Sequence, residues 1–469
     1  MHRALPIVLL LSLFLAGCGA AQTPIPTATQ TASSTPTIIP SPTSFSTPTV
    51  TPTPIPGTLF VDPSVSLGPI SPLIYGSNYG PWLTVPFYML PEAFDSGIKI
   101  LRFPAGAWGD HNDVTHLQID QFMDFVNKMG ATAIFNVRLL GGTPEQAAEM
   151  VRYTNIEKKY AIRYWAIGNE PTLYNKERKE GYYVEGFNQQ WRKFAEAMKQ
   201  VDPTILLVGP EMHQFSYDIV NTTNYDITVA ADSNGHFWID EFLKANGDLV
   251  DIVSFHRYPF PRTVVSGPPT VAELHQNVYE WDKIIYKMRD LIHQYTGRDL
   301  PIAITEFNSA YDKSVGGEAT PDSHYNAIWM ADVLGRMIKN RVFMANEWAL
   351  TAKGGFGGLG LVGSVDLYPA YYPYQLYKKF GNELIYSSSD DPDLSIYASR
   401  RKDGALTVMV INLSLEEKTK SMQISDLTQI QAEAWLFDPD HKAENIGELG
   451  LLGSITIPAQ SITLYIIQK

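Results

Sequence analysis

The sequence predicts an α/β protein: a (β/α)8 TIM barrel with a smaller antiparallel β-sandwich domain at its C-terminus. Three observations predict it. Short segments rich in β-branched and aromatic residues alternate with helical patterns eight times between residues 73 and 380. Two of these segments run into a carboxylate, at Trp165-Ala166-Ile167-Gly168-Asn169-Glu170-Pro171 and at Ile304-Thr305-Glu306-Phe307. Beyond Phe380 the helical patterns stop and strands follow one another closely.

Residues 1–18 read as a lipoprotein signal peptide. His2 and Arg3 precede an apolar core, Leu5 to Leu15, that is too short to span a bilayer. Leu15-Ala16-Gly17-Cys18 then resembles a bacterial lipobox, which makes Cys18 the expected site of lipidation and membrane attachment. Cys18 is also the only cysteine, so the globular part has no disulfide, thiolate metal site or cysteine nucleophile. Residues 19–57 form a Thr/Pro/Ser-rich linker; from Gln22 to Gly57 there is no charged residue, and the prolines keep such a chain extended. The expected location is extracytoplasmic, at a bacterial membrane or cell surface.

Residues 58–72 are expected to add a strand to the sandwich, residues 73–380 to form the barrel and 381–469 the sandwich itself. Barrel strands are predicted at Leu73–Asn78, Ile98–Phe103, Thr132–Val137, Arg163–Gly168, Ile205–Gly209, Ile252–His256, Ile302–Glu306 and Val342–Trp348. Helical patterns lie between them at Ile119–Met129, Pro144–Glu157, Phe187–Val201, Phe237–Lys244, Val271–Tyr295 and His324–Lys339. A doubly wound sheet is disfavoured because no glycine-rich phosphate fingerprint follows the first strand. Net charge is −13 with 18% charged and 12% aromatic residues, which leaves no basic stripe for nucleic acid.

In a parallel barrel the strand ends converge on one mouth, so Glu170 after the fourth strand and Glu306 on the seventh are expected to face each other. Two facing carboxylates are the machinery of glycoside hydrolysis. The apolar residues beneath Glu170 predict a raised pKa and the acid role, which leaves Glu306 as the nucleophile. Asn169, Tyr258, His256, Trp348, Arg102, Asn136, Tyr75, Asn78 and Trp108 stand near strand ends and are the expected substrate-binding set. Asp110-His111-Asn112-Asp113 reads as a solvated turn; no catalytic metal and no cofactor are expected.

At these residues the chain resembles a clan A glycoside hydrolase. Trp165–Pro171 is similar to the Asn-Glu-Pro motif of its acid/base, and Thr305-Glu306-Phe307 to its nucleophile strand. Ile70–Gly76 and Ser254–Tyr258 are similar to families 39, 44, 51 and 79, which carry a C-terminal β-sandwich. The likeness runs from Thr58 through Ile457–Thr463; Phe103-Pro104-Ala105-Gly106 departs from the Pro-Gly-Gly form of family 51 arabinofuranosidases. It implies a retaining mechanism, with Asn169 on the hydroxyl next to the anomeric carbon, Tyr258 touching Glu306 and Trp348 under the sugar. The expectation is an O-glycosyl hydrolase, either an exo-glycosidase such as an arabinofuranosidase or xylosidase, or an endo-β-glycanase. The rival is a non-catalytic carbohydrate-binding lipoprotein.

Overall fold

The computed structural model describes residues 56–176, 181–215, 231–260, 267–311, 315–427, 430–451 and 453–468. The leader, Cys18 and the linker up to residue 55 lie outside the described residues. Among the described residues no helix is long and apolar enough to cross a membrane.

After β1 (Thr58–Pro69), eight parallel strands close into a barrel: β2 (Gly76–Asn78), β3 (Ile100–Phe103), β4 (Thr132–Val137), β5 (Tyr164–Ile167), β6 (Leu206–Met212), β7 (Ile252–Arg257), β8 (Ile302–Phe307) and β9 (Met344–Glu347). The helices between them begin with strong stop–start chemistry. Thr115, Thr143 and Thr270 each close a capping box with the Gln or Glu three residues on. A cap of this kind contributes about 1 kcal/mol by satisfying an otherwise unpaired N–H.

Strand periodicity decides what lines the barrel. Ile100, Ile134, Ile252, Ala303 and Met344 belong to an apolar cluster filling the interior. Two residues further along the same strands stand Arg102, Asn136, Ser254, Thr305 and Asn346, all buried. The interior therefore turns from apolar to polar toward the C-terminal ends of the strands, the face on which barrel enzymes build their sites.

The remaining strands, β10 (Glu383–Ser388), β11 (Leu394–Arg400), β12 (Leu406–Asn412), β13 (Lys418–Ile424), β14 (Gln431–Phe437), β15 (Lys442–Gly450), β16 (Gly453–Ile457) and β17 (Ser461–Ile467), join β1 in one nine-stranded sheet. The sheet is mixed rather than purely antiparallel, because β1 pairs parallel to β13 while pairing antiparallel to β10. β12 shows how it serves two cores. Val408 and Val410 face the curled sheet's own interior, whereas Met409 and Ile411 pack into the barrel's helical layer. The helix His324–Lys339 lies in that layer, and a Cβ at Gly335 would stand 2.2 Å from the Tyr397 ring, so only glycine admits the contact.

Candidate active site

Glu170 leaves β5 and Glu306 sits near the end of β8, the fourth and seventh strands of the barrel. One carboxylate oxygen of Glu170 lies within 4.8 Å of one of Glu306. The backbone around them is strained: Glu170, Glu211 and Gln214 have φ of 50°, 58° and 52°. Left-handed backbone at a residue with a Cβ costs about 1–2 kcal/mol, and hydrogen bonds hold it here. The Glu170 N–H donates to the Glu211 carbonyl at 2.9 Å.

Arg102 is the hub beneath the pair. Its fully buried guanidinium reaches Glu306 Oε1 at 2.8 Å, Glu211 Oε2 at 2.6 Å, Asn169 Oδ1 at 2.8 Å and Asn78 Oδ1 at 3.2 Å. It faces carboxylates and amides rather than an open subsite, which corrects its placement among substrate-binding residues. Asn78 is corrected likewise: its amide donates to the carbonyls of Thr305, Asn346 and Glu347 and is spent on the scaffold. Tyr258 donates from its hydroxyl to Glu306 Oε2 at 3.0 Å. Burial, and then the Glu306 charge, push the Tyr258 phenol far above its ordinary pKa, so it stays a donor.

His256 stands between the carboxylates. Its Nδ1 is 2.9 Å from Glu170 Oε1 and 3.6 Å from Glu306 Oε2, and its Nε2 is 3.5 Å from Glu211 Oε2. Burial disfavours the imidazolium, but three carboxylates overcome it and raise its pKa to about 9. It is therefore an internal cation, not a wall of the sugar pocket as expected. Glu211 is its counterpart. Burial raises its pKa, but Arg102 and His256 win and hold it at about 2.

His213, at the end of β6, also touches Glu170 Oε1, at 2.6 Å from its Nδ1. Burial alone would raise the pKa of Glu170. His213 and then His256 overcome that and hold the carboxyl well below its usual range. The raised pKa expected from the apolar residues beneath is thus reversed. Trp165, Ala166 and Ile167 do lie under it, but the groups facing the carboxylate are imidazoles.

Asp110 corrects the reading of residues 110–113 as a solvated turn. It is buried and accepts from the N–H groups of Leu139 at 3.0 Å, Leu140 at 3.3 Å and Asn169 at 2.7 Å, and from the Tyr174 hydroxyl. Together with Arg102 it fixes Asn169 from both ends. Trp348 is half-buried and stacks on Trp82 at 6.3 Å; Trp82 in turn stacks on Trp108 at 5.7 Å, which makes a three-indole wall. A Cβ at Gly106 would come within 2.5 Å of the Trp348 ring, so the glycine of Phe103–Gly106 lets that wall form. Asn136 is 1% exposed, and neither its Oδ1 nor its Nδ2 finds a partner among the described residues. Tyr75 is a correction: it precedes β2, at the opposite end of the barrel, and packs against the tilted Tyr377 ring at 5.7 Å.

Glu170, His256 and Glu306 each turn one donor atom inward, close enough together to hold a metal ion. Arg102 and the His256 imidazolium already supply the positive charge there, and an added cation would be repelled by both. The donor set fits an ion-pair cluster better than a metal site.

The sequence reading does not reach His213, Glu211 or Glu347. The signal for the first two was present: Gly209-Pro210-Glu211-Met212-His213 follows a barrel strand, and polar residues there face the mouth. β6 was read as ending at Gly209, but it continues across a register shift to Met212.

The closed parallel barrel accompanied by a mixed sheet is a fold that this chain shares with solved structures of glycoside hydrolases. Among solved structures, the alpha-L-arabinofuranosidase from Thermotoga maritima is similar with a TM-score of 0.70 and 17% identity, over 88% of this chain and 100% of that one. A family 44 xyloglucanase from Paenibacillus polymyxa is similar with a TM-score of 0.66 and 16% identity, over 88% and 99%. In sequence, the chain is 25% identical to heparanase from Bos taurus over 351 residues, 68% of this chain and 57% of that protein. It is 25% identical to beta-xylosidase from Geobacillus stearothermophilus over 296 residues, 56% and 50% respectively. The chain thus spans about half the length of the curated relatives it matches. No protein-family model matches it.

Proposed function

We propose that the protein is a retaining glycoside hydrolase that cleaves O-glycosidic bonds of oligosaccharide or polysaccharide by double displacement. One observation carries the reading: carboxylate oxygens of Glu170 and Glu306 within 4.8 Å of each other at the barrel mouth. Retaining enzymes hold their two carboxyl groups about 5–5.5 Å apart, whereas inverting ones leave about 6.5–9.5 Å for a water.

In this reading the Glu306 carboxylate attacks the anomeric carbon, with Arg102 and Tyr258 donating to its two oxygens. Glu170 protonates the leaving oxygen and then takes a proton from the water that releases the glycosyl-enzyme. The Oδ1 of Asn169 is occupied by Arg102, which leaves its amide N–H groups for the hydroxyl beside the anomeric carbon. Trp348 offers an aromatic face to the sugar ring. The similarity to an arabinofuranosidase, a xylosidase and a xyloglucanase favours a plant-type glycan containing pentose. The likeness of Leu15–Cys18 to a lipobox supports a location outside the cytoplasm, with a tether through Cys18.

A panel of 4-nitrophenyl glycosides and plant polysaccharides tests the activity and separates exo from endo action. Glu306→Ala and Glu170→Ala should each nearly abolish turnover; wild-type rates in either variant would end the assignment. Labelled palmitate incorporated by the full-length protein, and lost in Cys18→Ala, tests the anchor.

A further inference from the structure

If Glu170 rests as a carboxylate, the proton it gives to the leaving oxygen has to be stored elsewhere. His256 is a poor store. Its two nitrogens face Glu170, Glu306 and Glu211, so its proton is held by three acceptors and losing it would unbalance all of them. His213 differs. Its Nδ1 meets Glu170 Oε1 at 2.6 Å, its Nε2 has no partner among the described residues, and its ring is 4% exposed. Glu170 from the end of β5 and Tyr311 from beyond β8 face the imidazole, the Tyr311 ring edge-on at 6.3 Å, and His256 from β7 meets the same Glu170 oxygen. Glu211 lies two residues back on its own strand, and Arg102, Tyr258 and Glu306 stand behind His256.

We propose that His213 is the positioning residue for the catalytic proton, storing on Nδ1 the proton that Glu170 delivers. This rests on the reading of Glu170 as the acid/base. The step balances. His213 starts as an imidazolium and keeps the hydrogen on Nε2; its Nδ1–H bond breaks as an O–H bond forms on Glu170, and that proton moves to the glycosidic oxygen as its bond to the anomeric carbon breaks. In the second half Glu170 takes a proton from water and returns it to Nδ1, so the pair ends as it began. A carboxylate and an imidazole in such contact titrate as one unit. Without His213 the delivered proton has to be held on Glu170 itself, so the basic limb of acid catalysis falls to lower pH.

Two measurements on the full-length protein test this. The first needs no turnover: the 13C carboxyl titration of Glu170, assigned by its loss in Glu170→Gln, should move up by a pH unit or more in His213→Ala. An unmoved midpoint overturns the pairing. The second compares kcat/KM for phenyl and 4-nitrophenyl glycosides of the sugar that is turned over. General acid assistance typically contributes about 10²–10⁴-fold. His213→Ala should therefore lose on the order of 10²-fold on the phenyl glycoside at pH 7 and less than about 3-fold on the 4-nitrophenyl one, with the basic limb displaced to lower pH. Equal losses on both substrates, or an unmoved basic limb, overturn it. His213→Asn keeps an N–H donor near the position of Nδ1 without a second protonation state and should behave like alanine; recovery of the parent profile would mean a hydrogen bond suffices, and overturns it too. A parent protein inactive on every glycoside would sink the proposed function, while the titration still judges the pair.

Discussion

Glu347→Gln should stabilise the protein, and increasingly so as pH rises. Glu347 closes β9, is fully buried and faces no cation. Ser77 Oγ donates to its Oε2 at 2.9 Å, and Asn308 Nδ2 lies 3.5 Å from its Oε1. Burial pushes its pKa far above the ordinary 4.5, and the Ser77 hydrogen bond pulls back by less, so the folded protein holds a neutral carboxyl. The unfolded chain loses that proton near pH 4.5. A group whose pKa is raised on folding contributes fully below the unfolded value and loses that contribution as pH rises through the folded one. Each pH unit between them is about 1.4 kcal/mol, so the neutral carboxyl becomes steadily more costly relative to a side chain that does not titrate as pH climbs above the unfolded value. Glutamine has the same shape and no proton to lose. Urea unfolding at pH 5, 6 and 7 should show the variant's advantage growing from each pH to the next with an unchanged m-value. A difference independent of pH, or one that turns against the variant as pH rises, would refute the reasoning.

Arg102→Met should cost about 3–5 kcal/mol, because it strands the buried carboxylates of Glu211 and Glu306; Arg102→Lys should recover little, since one ammonium cannot serve both carboxylates, Asn169 and Asn78. Thermal melts of both variants check this. Asn136→Ala removes two unpartnered polar atoms, so the melting temperature should hold or rise while KM increases several-fold; an unchanged KM would remove Asn136 from the substrate site. With Glu347→Gln removing the Glu347 slope, stability should be lost on both sides of a plateau. The His256 contribution is complete below about pH 6.5 and fades as pH rises through about 9. The Glu211 contribution is complete above about pH 4.5 and fades as pH falls through about 2. Chemical denaturation from pH 3 to 9 measures both limbs.

The barrel was legible because six of its eight strands carry β-branched or aromatic residues in short runs, Gly76–Asn78 and Met344–Glu347 being the exceptions. Thr132–Val137 begins and ends where the pattern says. The helix Pro144–Glu157 appears as an α-helix to Val151 continued by a π-helical turn from Arg152, a difference periodicity cannot resolve. β15 was missed for a physical reason: Lys442–Gly450 is an exposed edge strand with Glu, Asn and Gly where alternation would need apolar residues. Within the site, position along a strand was readable and side-chain partnership was not. Glu170 and Glu306 could be placed at one mouth by counting strands, but the environment of Glu170 depends on His213, 43 residues away, and on the left-handed turn at Glu211 that aims it. Tyr75 shows the converse error. It is aromatic and close to a barrel strand, but it enters that strand instead of leaving it.

The central claim, that Glu306 forms a covalent bond to the sugar while facing Glu170, is tested most directly by trapping. The protein is incubated with a 2-deoxy-2-fluoro analogue of the aryl glycoside it turns over, digested, and its peptides weighed. A fluoroglycosyl mass on the peptide containing Glu306, with Glu170 unmodified, is the predicted result. Turnover that yields inverted product with no adduct, or an adduct on Glu211 or Glu170, would contradict it.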